Sequence, residues 1–277
     1  MSANQKTAGH RLLTVARRVG ADGKLGRPGP AIALPVLAGL GVLVVWWLAV
    51  VVFDIKPFVL PAPLDIARAF WRVPGYLLSQ TWTTLVVTVG GFALAAVAGL
   101  VVAVLLTASR TVEQAFLPLL VATNAVPKIA VAPLMVLWLG FGNSPKVFMA
   151  ALISVFPIVV STMSGLTSAP AELTELARSL SASRWQTYRK LRIPWALPQI
   201  FVGLKLGITL AVVGTVVGEF AGGDRGLGYV IVASGGSADT ALAFAAMVLL
   251  SVISVVLFYL VVGLERLLLP WAKEITA

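Results

Sequence analysis

Long apolar windows separated by short polar ones dominate this chain. No Asp, Glu, Lys or Arg interrupts Pro28–Phe53, Val73–Ser109, Val147–Ala171 or Thr240–Leu264. Each window is at least as long as the roughly 20 apolar residues that a helix needs to cross a bilayer. Two further apolar stretches are less clean. Residues 114–141 contain Pro127, Lys128 and Pro133, and residues 196–219 contain Lys205 and end on Glu219. The pattern predicts an all-α, polytopic membrane protein with six transmembrane helices, at about 31–53, 80–107, 114–141, 144–167, 196–219 and 240–267. Proline and lysine inside the third make it the candidate for a broken helix. The spans read as a single transmembrane domain, residues 31–271, behind a basic tail, residues 1–30.

Composition agrees. Of 277 residues, 59% are hydrophobic and 12% charged, with a mean hydropathy of +0.97, whereas soluble domains carry about a quarter charged residues. There is no cysteine, and the single histidine, His10, lies in the tail. Disulfides, thiolate metal sites and histidine-centred catalysis are therefore excluded from the spans. No His, Asp and Glu cluster or Ser–His arrangement is visible, so no catalytic and no metal-ligating residue is assigned. A net charge of +10 would suit nucleic acid, but its placement follows membrane topology instead. Lys6, Arg11, Arg17, Arg18, Lys24 and Arg27 crowd the tail, and Arg178, Arg184, Arg189, Lys190 and Arg192 crowd the segment after the fourth span. Both should stay in the cytoplasm, giving cytoplasmic N and C termini. The first span is too long for a signal-peptide core and is not followed by a small-residue cleavage site, so it reads as a retained anchor.

That second basic segment, Pro170–Pro198, is longer than a connection between two spans requires. Pro170 suits a first helical turn, and Glu172 sets negative charge near the helix N-terminus. Leu173, Leu176, Ala177 and Leu180 then form one apolar stripe. Ser181-Ala182-Ser183 breaks the run, and Ser183 with Gln186 reads as a capping box for a second helix carrying Trp185 and Tyr188. Pro194 and Pro198 are expected to end that helix and launch the fifth span. Two readings stand side by side. One is an amphipathic connector on the membrane surface; the other is a surface for a cytoplasmic partner, favoured by Glu172 and Glu175, which an anionic leaflet would repel.

Polar residues inside spans are costly and mark pathways, which singles out Asn124, Lys128 and Glu219. Lysine at mid-bilayer costs on the order of 3 kcal/mol on insertion scales, so Lys128 should face water, protein or the outer cavity, with snorkelling or a local carbonyl contact as the plainer reading. A small anion such as a sulfonate or nitrate would favour Lys128 as a direct contact, a flat heterocycle the aromatics and Asn124. For Glu219, at the end of the fifth span, an ion pair and a gate or partner contact are both open. Gly203, Gly207, Gly214 and Gly218 fall on one face of the fifth span, a helix-packing seam of two G-x-x-x-G pairs. It serves either packing within the subunit or a dimer or gating contact. Lys205, on the opposite face, is expected to snorkel toward headgroups.

Glu175-Leu176-Ala177, Ser181-Ala182-Ser183 and the ending Ile193-Pro194-Trp195-Ala196-Leu197-Pro198 resemble the EAA loop of binding-protein-dependent ABC importer permeases. Leu176 stands where that pattern has alanine, and Ser181 where it has glycine, without glycine's freedom at positive φ. Val126-Pro127-Lys128 through Leu134, Trp138 to Gly142, Gly218-Glu219-Phe220, Gly226-Leu227-Gly228-Tyr229 and Glu265-Arg266 with Pro270-Trp271 are similar to the nitrate/taurine/sulfonate-type members. The resemblance spans about residues 31–271. It implies a type I ABC importer permease-like fold in the bacterial inner membrane, paired with a second permease subunit as a homodimer or heterodimer. The EAA loop would dock as a coupling helix on a cytoplasmic dimer of ATP-binding subunits through Glu172, Glu175, Leu176, Ala177, Leu180, Ser181, Ala182 and Ser183. ATP and Mg would bind that partner, since this chain carries no phosphate-cradling G-x-x-x-x-G-K-[ST] sequence. A periplasmic or lipid-anchored substrate-binding protein would deliver nitrate, taurine, an alkanesulfonate, or a pyrimidine- or riboflavin-like vitamin precursor. A secondary transporter or channel is the alternative; such proteins often carry several intramembrane carboxylates or an inverted repeat.

Overall fold

The computed structural model describes residues 28–271, all helix and connection with no strand among them. The basic tail up to Arg27, including His10, lies outside the described residues. The chain divides at Ile55 into two units. The first contributes α1, Pro28–Val52, 25 residues with no charge and no polar stripe. A helix apolar all round fits lipid or protein on every side.

The second unit begins with α2, Pro63–Arg72, followed by α3, Pro74–Thr107, which starts earlier than the expected residue 80 because Pro74 fits the first helical turn. The third expected span is two helices, α4, Arg110–Ala125, and α5, Lys128–Leu139, bent by 88°. Steric clash with a following proline pushes a residue out of the helical region. Val126, before Pro127, accordingly takes φ −64° and ψ 129°, and the chain turns there. Then come α6, Asn143–Thr167; α7, Ala171–Ser179; α8, Arg184–Thr187; α9, Ile193–Gly222; α10, Leu227–Gly236; and α11, Thr240–Leu268. Among the described residues, five helices are long and apolar enough to cross a membrane, and the bent pair makes up to six. The short helices α2 and α10 were not foreseen.

The expectation that Pro194 and Pro198 end the second loop helix is corrected. From Trp185 the helix runs unbroken to Gly222, 38 residues, through a π-helical turn at Tyr188–Arg192. An α-helical Pro194 would collide with the carbonyl four residues back and leave it unpaired. Widening the preceding turn, with Ile193 N–H donating to Tyr188 O, absorbs that misfit.

The core of this unit is α6, clasped between α3 and α9. Ala150 is fully buried between Gly91 of α3 and Gly214 of α9. A Cβ on Gly214 would lie 2.6 Å from the Ala150 Cα, so only glycine admits the backbone approach. The other glycines of the seam face the same helix: Gly203 at Ser161, Gly207 at Ile158 and Gly218 at Lys146. All four therefore pack within one subunit. The Thr88 hydroxyl donates to Thr215 Oγ1 at 2.9 Å across α3 and α9, and Thr215 donates in turn to Ala211 O at 3.0 Å, satisfying two buried hydroxyls. Lys205 does not simply snorkel; its ammonium pairs with Glu265 of α11 at 2.9 Å. Arg72 pairs with Asp239, which also caps α11 by accepting from Leu242 N–H at 3.2 Å.

Candidate functional site

Three places hold the residues singled out above, and the structure does not merge them. The first is the α6–α9 connection. None of the nine residues of α7 is buried, and Leu176 and Leu180 are 55% and 73% exposed. Glu172 and Glu175 are also exposed. At the end of α7, Ser181 N–H donates to Arg178 O at 2.9 Å and Ala182 N–H to Ala177 O at 3.0 Å. These are the two bonds of a Schellman turn, whose pivot residue is left-handed. Ser181 supplies that conformation, φ +54°, although it is not glycine. Immediately after, Ser183 and Gln186 form the reciprocal capping box, with bonds of 2.9 and 3.2 Å, and the Trp185 and Tyr188 rings stack at 6.5 Å. Leu176, Ala177, Leu180 and Ala182 border one concave groove of about 340 Å³. One helix stop and one helix start within a few residues thus set α7 apart as a short helix with an exposed apolar edge.

The second place is the break at Pro127. It brings Asn124 and Lys128 together: the Lys128 ammonium donates to Asn124 Oδ1 at 2.6 Å and lies 5.9 Å from the centroid of the Phe156 ring. These residues, with Thr123, edge a cavity of about 210 Å³ whose other wall is apolar, including Leu152 and Val155 of α6. Phe156 was not singled out by sequence, since nothing local distinguishes it from a packing aromatic.

The third place is a buried polar knot around Glu219, which does not line that cavity. Glu219 is 1% exposed. It accepts from Thr84 Oγ1 at 2.8 Å and from Gly228 N–H at 2.6 Å. Thr84 accepts in turn from Leu227 N–H at 2.8 Å, and Gln80 Oε1 accepts from Gly226 N–H at 2.6 Å. Three backbone donors at the start of α10, which no helical carbonyl could reach, are thus met by side chains from α3 and α9. Among the described residues no cation lies within ion-pair distance of Glu219; the ion pair beside it joins Lys146 and Asp224. Lys146 is 1% exposed, donates to Arg225 O at 2.9 Å and faces Asp224 at 3.6 Å. Gln80, Thr84 and Lys146 were missed. The available signal was that polar side chains in apolar windows need partners; Lys146 stands just outside the charge-free window that begins at Val147, so that window does not single it out.

Comparison with known proteins agrees across most of the chain. Residues 91–274 match the family described as binding-protein-dependent transport system inner membrane component. The chain is 42% identical over 244 residues to the riboflavin transport system permease protein RibX of Chloroflexus aurantiacus, covering 87% of this chain and 91% of the relative. It is 34% identical over 241 residues to the formylaminopyrimidine transport permease protein ThiX of Halalkalibacterium halodurans, covering 87% and 96%. It is 29% identical over 240 residues to the taurine transport system permease protein TauC of Escherichia coli, covering 84% and 87%. Among solved structures, the inward-facing MetNI methionine ABC transporter contains a chain that superposes with a TM-score of 0.63 at 20% identity, over 70% of this chain and 97% of that one. At that identity the likeness is one of fold.

Proposed function

This chain belongs to the binding-protein-dependent transport system inner membrane component family and is a permease of the ABC importer type, and from that premise we propose how it works. α7 docks into a cytoplasmic ATP-binding subunit, two copies of which bind and hydrolyse ATP with Mg; this chain binds neither. Two permease subunits, most simply two copies of this chain, enclose the pathway. A periplasmic or lipid-anchored binding protein delivers the solute from the opposite side. The tail, α7 and the C terminus face the cytoplasm, where their basic residues belong. The solute falls within the range named for the relatives, from taurine and sulfonates to riboflavin and pyrimidine-like compounds.

The observation that carries this reading is the unburied apolar edge of α7. Covering one exposed leucine is worth about 1.5–3 kcal/mol. Leu176 and Leu180 beside a concave groove are therefore a strong reason for a protein partner, and a membrane surface would not favour the adjoining Glu172 and Glu175. The test is assembly of the importer in nanodiscs with Leu176→Asp, Leu180→Asp and Glu175→Arg variants. Each should insert normally yet lose ATPase capture and ATP-driven uptake. Normal capture by all three would overturn the docking role.

A further inference from the structure

The lysines of the membrane helices are not treated alike. Lys146 faces Asp224 at 3.6 Å and Lys205 faces Glu265 at 2.9 Å. Lys128 has no carboxylate within ion-pair distance among the described residues. Its partners are the neutral Asn124 amide oxygen and the face of Phe156. An ammonium offers three donors, and Asn124 takes one, so Lys128 retains capacity for a further acceptor at the edge of the 210 Å³ cavity. Its position on the break is central: the facing residues Leu152, Val155 and Phe156 lie midway along α6.

The rest of the wall decides which acceptor. A compact anion with three equivalent oxygens is best held by several convergent charged donors. Here there is one cation, one amide and a hydroxyl on a single edge, the Thr123 hydroxyl already donating to Leu120 O at 2.8 Å. The opposite wall is aliphatic and aromatic. A flat ring suits both sides, laying its face on Phe156 and the aliphatic wall while its edge meets Lys128 and Asn124. Pockets for drug-sized ligands run to about 300–1,000 Å³, so this smaller space takes a ring system and leaves any long substituent outside. We propose that Lys128, Asn124 and Phe156 form a contact site for a planar heterocycle bearing ring carbonyl groups, Lys128 donating to a carbonyl oxygen and the Asn124 amide pairing with the adjacent ring edge. This rests on the importer reading above and narrows its substrate class.

The experiment measures binding to the full chain in nanodiscs without the ATPase. Riboflavin, followed by its own fluorescence, is the probe; uracil and taurine are competitors. Riboflavin should bind and be displaced by uracil but not by taurine. Lys128→Met and Lys128→Gln should each weaken binding by about tenfold, a loss matching one hydrogen bond to a charged donor. Phe156→Leu should weaken it severalfold, and Lys128→Arg should stay within about threefold. Thermal melting of every variant separates lost binding from lost folding, and removing a charge from the span places no burden on insertion. Unchanged binding in both Lys128→Met and Phe156→Leu overturns the site, as does a wild-type chain that binds neither ring compound at millimolar concentration. Lys128-dependent binding of taurine that uracil does not displace overturns the ligand class. Because the ATPase is absent, these results are independent of ATPase capture by α7, whose loss or retention judges the importer reading separately.

Discussion

At the scale of single residues, two positions carry conformational demands that a hydropathy pattern does not announce. Ser181 sits left-handed at the pivot of the α7 turn, a conformation that costs an L-residue with a Cβ roughly 1–2 kcal/mol. Ser181→Gly should therefore stabilise the turn by about 1 kcal/mol, seen as slower amide exchange over residues 177–183, with uptake preserved. Faster exchange would mean that the serine is held there by contacts rather than strained. Gly226 is the sharper case. Its φ is +111°, and a Cβ there would overlap the Glu219 carboxylate. Gly226→Ala should displace that carboxylate from its donors and destabilise the chain by about 3 kcal/mol, the upper end of ordinary substitutions. Thermal unfolding in detergent measures this. A wild-type midpoint would show that the knot tolerates an open loop.

At the scale of elements, what the sequence made legible was local. Charge-free windows located the spans, the serine–glutamine spacing located a capping box that forms as expected, and Pro127 located the bend. Each depends on residues within a few positions of one another. What was illegible depends on distance along the chain. Thr84 meets Glu219 and Lys146 meets Arg225 only after α3, α6 and α9 have packed, and no periodicity encodes which polar groups will meet. The π-helical turn escaped for a related reason: a proline's usual effect is to stop a helix, and only the continuation of the helix into α9 shows that a widened turn relieves it. The clasp of α6 gives the element-level prediction. Gly214→Ala sets a methyl group 2.6 Å from the Ala150 Cα, which no side-chain rotation can relieve, whereas Gly90→Ala meets only Val147 Cγ2 at 3.8 Å. Gly214→Ala should abolish the monodisperse, folded protein seen by size-exclusion chromatography. Gly90→Ala should retain it and gain a few tenths to 1 kcal/mol from helix propensity. Equal behaviour of the two would remove close backbone packing as the basis of the core.

At the scale of the whole permease, the rod made by α8, the π-helical turn and α9 links the first and third of the three places. From Trp185 to Gly222 it spans 38 residues, roughly 57 Å at 1.5 Å per residue. It starts beside the Schellman turn that positions α7, and its last turn carries Glu219, which grips the start of α10. A displacement of α7 by the proposed ATP-binding partner would be carried, through one continuous helix and its π-helical turn, to the loop at Asp224 and Arg225. The chain has no cysteine, so Arg225→Cys creates a unique reporter. Its backbone oxygen can still accept from Lys146, and the Arg225 side chain it replaces is 73% exposed. In the assembled importer, the labelling rate of this cysteine by a membrane-impermeant maleimide should change severalfold when a non-hydrolysable ATP analogue closes the ATPase. Inserting two glycines after Arg192 should leave ATPase capture by α7 intact and erase that change, because a flexible joint no longer carries rotation or translation along the rod. A labelling change that survives the insertion would place the transmission in another helix and leave the continuity of α9 a matter of packing alone.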